Sequence, residues 1–162
     1  MSDPSSLEFS RLTPPLQTRL AAFFDALTAR GDDRWFHPHP FTAGEAARLC
    51  AHQGRDLYYA AVAGETMLAY GMLRGWDEGY ETPSLGIAVH PDARGLGLAR
   101  TFMGFLHVAA SFQGARRIRL KVYPDNTAAR RLYESLGYRL EPAADGQWMG
   151  IYDLKRGEHG RK

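Results

Sequence analysis

Apolar side chains return every three to four positions between Leu16 and Arg30, at Leu16, Leu20, Phe23, Phe24 and Leu27, which predicts an amphipathic helix. Pro14 and Pro15 precede it and Gly31 follows it, residues suited to starting and stopping a helix. A second helix is predicted from Thr42 to about His52. Thr42-Ala-Gly-Glu45 is a capping-box pattern, in which Thr42 accepts from a backbone N–H and Glu45 reaches back. Between the two lies an aromatic, histidine-rich loop, Trp35 to Phe41. Two apolar and aromatic runs, Leu57–Ala63 and Met67–Leu73, flank the turn Ala63-Gly64-Glu65 and predict a β-hairpin. A polar loop, Gly75–Glu81, leads to a third strand, Leu85–Val89. The period turns helical from Gly97 to Phe112. A strand over Ile118–Tyr123, a helix over Asn126–Leu136 and closing strands near Tyr138–Leu140 and Trp148–Leu154 follow. The predicted order is α-α-β-β-β-α-β-α-β-β, with no repeat, low-complexity segment or dividing linker.

Composition narrows the classes open to such a chain. Its 162 residues are 44% hydrophobic, enough to build the core of one domain. One domain is expected over residues 1–162, with a core at about 8–155 and a polar, frayed tail from Lys155 to Lys162. The 20 basic and 18 acidic residues leave a formal charge of +2 with no long basic run, so no nucleic-acid partner is expected. Cys50 is the only cysteine, which rules out an internal disulfide and a cysteine-held zinc. No metal is expected, since His37 and His39 lack a clear third ligand. The first fifteen residues lack the basic start and apolar stretch of a secretory signal. No window approaches the roughly eighteen apolar residues of a membrane span. The expectation is a soluble, cytoplasmic protein with no membrane partner.

The most informative segment is Leu85 to Ala99, LGIAVHPDARGLGLA, where an apolar strand meets a short turn and a glycine-rich helix start. Free N–H groups in a helix's first turn, with the positive end of its dipole, make an anion site. Gly95 and Gly97 carry no side chain that would keep a phosphate from the backbone, and Arg94 and Arg100 add charge at either end. A glycine pair before a helix is also what a plain tight turn looks like. A nicotinamide-binding unit would need G-x-G-x-x-G and an acidic residue ending the next strand. Here Arg100 stands where the third glycine belongs, and the next strand carries Lys121.

The second segment separates these readings. Strand Ile118–Tyr123 is followed by Asn126, Ala129, Tyr133 and a Gly137-Tyr138 stop. Arg94-Gly-Leu-Gly97-Leu-Ala99 followed by Asn126, Ala129 and Tyr133 resembles the paired acetyl-CoA signature of the GNAT superfamily of N-acetyltransferases, R/Q-x-x-G-x-G/A and then N-x-x-A-x-x-x-Y. The two motifs span about Leu85 to Tyr138. The resemblance implies an α/β (α+β) fold, a central mixed, mostly antiparallel twisted sheet flanked by about four helices. It implies a transferase, an acyltransferase using acetyl-CoA as acyl-donor cosubstrate. The backbone of Ile87, Ala88 and Val89 would pair with the pantetheine arm like an added strand. The amides of Gly95, Leu96, Gly97, Leu98, Ala99 and Arg100 would hold the diphosphate. Asn126 would touch the cofactor, although an asparagine there also suits a helix cap.

By the same resemblance, Tyr133 is the general acid for the departing thiolate and a backbone N–H near Val89 is the oxyanion donor. The alternative for Tyr133 is a core aromatic, since Leu132, Tyr133 and Leu136 share helical spacing. Relatives often use a glutamate on the third or fourth strand as the general base. This chain has Pro83, Ser84 and Lys121 in those regions, and Glu81 is the nearest acid. His37, His39 and His90 are alternatives, imidazole being the side chain that titrates nearest neutral pH. The family's acceptor-facing loops correspond to Trp35, Phe36, His37 and His39 and to Asp77 and Glu78. Aromatic faces with a few polar groups suit a small amine, with an amino sugar as the leading guess. Transfer to a protein lysine or N-terminus and non-catalytic sensing of acyl-CoA are the competing readings. A homodimer is the expected assembly.

Overall fold

Successive side chains of a strand point to opposite faces, and the largely apolar central strands β2 and β3 thus offer one buried face to each of two helical layers. The computed structural model describes residues 6–154, so the predicted polar tail lies outside the described residues. Seven strands form one sheet in the order β1-β2-β3-β4-β5-β7-β6. They are β1 (Leu7–Arg11), β2 (Leu57–Ala63), β3 (Thr66–Arg74), β4 (Ser84–Val89), β5 (Arg117–Val122), β6 (Arg139–Pro142) and β7 (Trp148–Asp153). Four α-helices accompany them: α1 (Gln17–Ala29), α2 (Ala43–Cys50), α3 (Leu98–Phe112) and α4 (Thr127–Leu136). Every neighbouring pair is antiparallel except β4–β5, so the sheet is mixed and mostly antiparallel, as expected.

The strand β1 is absent from the predicted order. Its five residues read Leu-Glu-Phe-Ser-Arg and pair with β2 at the sheet edge, too short a run for alternation to stand out. Phe9 holds it in place by stacking on Phe102 at 5.1 Å.

Leu57, Leu73, Leu85, Ile118, Leu120 and Val122 meet Phe102, Met103 and Leu106 of α3 and Tyr133 of α4 on one face. Tyr58, Ala60, Tyr70 and Met72 meet Leu20, Phe23, Phe24 and Leu27 of α1 and Leu49 of α2 on the other. Thr42 caps α2 as predicted, its Oγ1 accepting from the Glu45 N–H at 3.1 Å, whereas the Glu45 carboxylate accepts from Arg48 Nε at 2.8 Å instead of reaching back. No helix among the described residues is long and apolar enough to cross a membrane.

One irregularity positions everything that follows. β4 and β5 share a single register pair, Ser84 with Arg119, and the Arg119 N–H donates to the Pro83 carbonyl at 3.0 Å. Beyond that point the two parallel strands part, while β4 stays in register with β3 to Val89 and β5 with β7 to Val122. The sheet is therefore split by a wedge that opens toward the C-terminal ends of both strands. Helix α3 follows β4 and helix α4 follows β5, so both helix N-termini stand at the mouth of the wedge.

Candidate active site

Along a strand, successive N–H and C=O groups point to opposite neighbours, and three contacts settle which residues of β4 face the wedge. His90 donates to Leu68 of β3 at 2.7 Å, so even-numbered residues bond toward β3. Pro83 accepts from Arg119 and the Val89 carbonyl accepts from Arg94 Nε and Nη2 at 3.3 and 3.1 Å, so odd-numbered residues face β5. The N–H groups of Ile87 and Val89 thus point into the split. Two donors on one open strand edge can bind an amide-bearing chain or receive charge developing on a carbonyl oxygen.

At the mouth of the wedge the chain turns through Gly95 and Gly97, both at positive φ (81° and 80°), a conformation side chains with a Cβ disfavour. Gly97 caps α3 without a side chain, and the first bond into the helix runs from Thr101 N–H to the Gly97 carbonyl. The amides of Leu98, Ala99 and Arg100 precede that bond and stay free for an anion. Arg94 is turned inward: besides the Val89 carbonyl, its Nη2 meets Asp32 Oδ2 at 2.7 Å, which braces the turn. Arg100 Nη2 donates to Ser135 Oγ at 2.7 Å, tying the start of α3 to α4. Asn126 caps α4, its Oδ1 accepting from Ala129 N–H at 3.4 Å, and also lines the cleft.

The wedge and the space beyond it form a cleft of about 890 Å³. Of the predicted cofactor set, Ile87, Ala88, Val89, Arg94, Gly95, Gly97, Leu98, Ala99, Arg100 and Asn126 line it, whereas Leu96 points to solvent. Tyr133 lines it from α4, with its ring packed against Tyr138 at 5.8 Å. Burial pushes the Tyr133 hydroxyl up to about 12, so it keeps its proton at neutral pH. No hydrogen bond from that hydroxyl is made among the described residues.

On the acceptor side Trp35, Phe36, His37 and Glu78 line the cleft. Phe36 presses its ring on the backbone of Gly86, where an added Cβ would stand 2.8 Å from it. His37 Nε2 and the Tyr123 hydroxyl share a hydrogen bond of 2.8 Å. Four candidates fall elsewhere. Glu81 is exposed on its loop, outside the cleft wall. Asp77 is a loop brace: Oδ1 accepts from Arg55 N–H at 2.7 Å and Oδ2 from Asp56 N–H at 3.2 Å. The Arg55 N–H chiefly, then that of Asp56 and neighbouring His52, hold its carboxyl below the usual range. His39 is half-buried, bonded to the Tyr70 hydroxyl at 2.9 Å, and its burial lowers its pKa. His90 accepts from Asp92 N–H at 3.1 Å and caps the turn after β4. The wall also contains Asp32, Arg74, Tyr80, Arg119 and Tyr123, none of which sequence reasoning selected. For Arg119 and Tyr123 the signal was present, since they alternate with the apolar Ile118, Leu120 and Val122 of β5.

A profile of the acetyltransferase (GNAT) family matches residues 20–138, and the chain belongs to that family. An acetyltransferase of Sodalis glossinidius is 34% identical over 87 residues, covering 53% of this chain and 59% of its own length. A mycothiol acetyltransferase of Gordonia bronchialis is 32% identical over 138 residues, covering 76% of this chain and 42% of its own length. The chain thus spans about half the length of the curated relatives it matches. The fold is shared with yncA of Salmonella typhimurium, solved with its cofactor acetyl-CoA. Its TM-score is 0.75 at 17% identity, covering 95% of this chain and 97% of that one.

Proposed function

We propose that this protein is an N-acetyltransferase that moves the acetyl group of acetyl-CoA to a primary amine of a small molecule, with both bound together. The observation that carries the reading is the split between β4 and β5. It opens two backbone donors, of Ile87 and Val89, onto a cleft that ends in a glycine-capped helix start. The residues suit the coenzyme. Its amide-bearing arm matches the open strand edge, and its diphosphate matches the amides of Leu98 to Arg100. When bound, acetyl-CoA supplies an acetyl group activated as a thioester.

The chain's own groups divide the rest of the work. The N–H of Ile87, one ladder step deeper than Val89, receives the charge that grows on the acetyl oxygen. Tyr133, still protonated, delivers a proton to the sulfur side. His37, steadied by Tyr123, takes the proton that the amine must lose. Glu81 lies outside the wall, so His37 replaces it in this reading. The aromatic faces of Trp35 and Tyr80 at the acceptor end suit stacking on a sugar ring, which keeps an amino sugar as the first acceptor class. The reading also treats the chain as one domain working in the cytoplasm.

The test is release of free thiol from acetyl-CoA against amino sugars, polyamines, amino acids and peptides. Turnover on a small amine supports the reading. Modification of peptides alone would move the acceptor to proteins, and coenzyme binding without turnover on any class would make the protein a sensor.

A further inference from the structure

We propose that Arg74 and Arg119 form an anion subsite at the closed end of the wedge, so that the acceptor amine carries a carboxylate or phosphate some atoms away. The inference rests on the transferase reading and names its substrate class. Arg74 pairs with Ser84 across β3 and β4, and Ser84 pairs with Arg119 across β4 and β5. Residues directly opposite on neighbouring strands point to the same face, so both guanidinium groups and the Ser84 hydroxyl stand in one row. Strands lie ~5 Å apart, which puts the two arginine backbones roughly 10 Å apart. All three residues line the cleft.

The row is held but not neutralised. Arg74 Nη1 donates to the Pro38 carbonyl at 3.3 Å, and the Arg119 guanidinium lies 5.5 Å from the centre of the Tyr80 ring. Arg94, Arg117, Arg139 and Lys121 all have carboxylate partners. Neither Arg74 nor Arg119 has one within ion-pair distance among the described residues. Arg119 Nε is buried with no acceptor, a costly state, and an incoming oxyanion would meet the guanidinium through its less buried Nη atoms, which line the cleft without a hydrogen-bond partner among the described residues. Of the acids in the cleft wall, Asp32 is committed to Arg94, which leaves Glu78 alone on the acceptor side.

Position assigns the pair to the acceptor rather than to the coenzyme's phosphates. Ser84 lies five residues from Val89, roughly 17 Å along the strand from the wedge mouth where the diphosphate is expected. It lies three residues from Ile87, roughly 10 Å from the proposed oxyanion donor. An amine attacking there, with an anionic group a few bonds away, falls within reach of both arginine side chains.

Two measurements decide the matter. First, protein saturated with coenzyme A, so that the diphosphate site is filled, is titrated with inorganic phosphate and separately with acetate while the arginine Nε–H resonances are followed. Saturable binding is expected, weakened about ten- to a hundredfold in Arg119→Gln and in Arg74→Gln. Unchanged coenzyme affinity shows that the variants are folded. Binding that neither substitution alters, or no saturable binding, overturns the subsite. Second, thiol release is compared for glucosamine against its 6-phosphate, and for amino acids against their amides. The anionic member should win by tenfold or more in kcat/KM, an advantage lost in Arg119→Gln. The winning pair identifies phosphate or carboxylate as the group held. Equal turnover of charged and neutral members overturns the subsite and leaves the transferase reading standing. Absence of turnover on every amine counts against the transferase reading, and the phosphate titration still decides the subsite.

Discussion

Replacing Tyr133 by phenylalanine separates the chemistry of its hydroxyl from the packing of its ring. The ring is almost fully buried and packs on Tyr138, contacts that phenylalanine keeps. The hydroxyl makes no hydrogen bond among the described residues, so stability near neutral pH should change by less than about 0.5 kcal/mol. A general acid contributes about 10² to 10⁴ in rate, which is about 3 to 5 kcal/mol of barrier. Burial holds the hydroxyl at about 12 instead of 10.0. Its folded value is raised, so the stability linked to it is present below pH 10 and is lost as pH rises through about 12. The assay is single-turnover thiol release at saturating acetyl-CoA, with coenzyme affinity measured by calorimetry. A loss of a hundredfold or more in the chemical step with unchanged affinity is expected. A loss under threefold, or one explained wholly by weaker coenzyme binding, would refute the general-acid role.

Other perturbations address the rest of the site and the scaffold. Gly97→Val places a β-branched residue at φ 80°, which should cost about 1 to 2 kcal/mol in a thermal melt and weaken acetyl-CoA binding at least tenfold in calorimetry. Asp56 is buried and its Oδ1 accepts from the N–H groups of Gly75 and Asp77 at 3.0 and 3.1 Å. Asp56→Ala orphans both and should lose about 2 kcal/mol in urea unfolding, with Asn restoring part. His107 is stacked on Tyr152 and bonded to Tyr138, and burial lowers it to about 4. Its folded value is depressed, so its contribution is present above pH 6.5 and is lost as pH falls toward about 4. Urea midpoints across that window should slope less in His107→Phe than in the wild type.

The sequence by itself carried whatever depends on residues close together in the chain. Helical spacing marked α1, α3 and α4, the Thr42–Glu45 pattern marked the start of α2, and apolar and aromatic runs bounded by turns marked β2 to β5. The two motifs reach the cleft wall almost intact because each is a strand, a turn and a helix start, a unit whose geometry is nearly local. Long-range pairing decided the remainder. β1 is fixed by its pairing with β2 and by Phe9 stacking on Phe102, both far along the chain. Asp77 and Glu78 are adjacent, yet one braces the Arg55 backbone and the other lines the cleft, a difference their identical charge does not encode. Periodicity says which face of a strand a residue occupies, but not which strands will be neighbours or where two of them will part. Only the assembled sheet aligned Arg74, Ser84 and Arg119 in one row and turned Ile87 and Val89 toward open space.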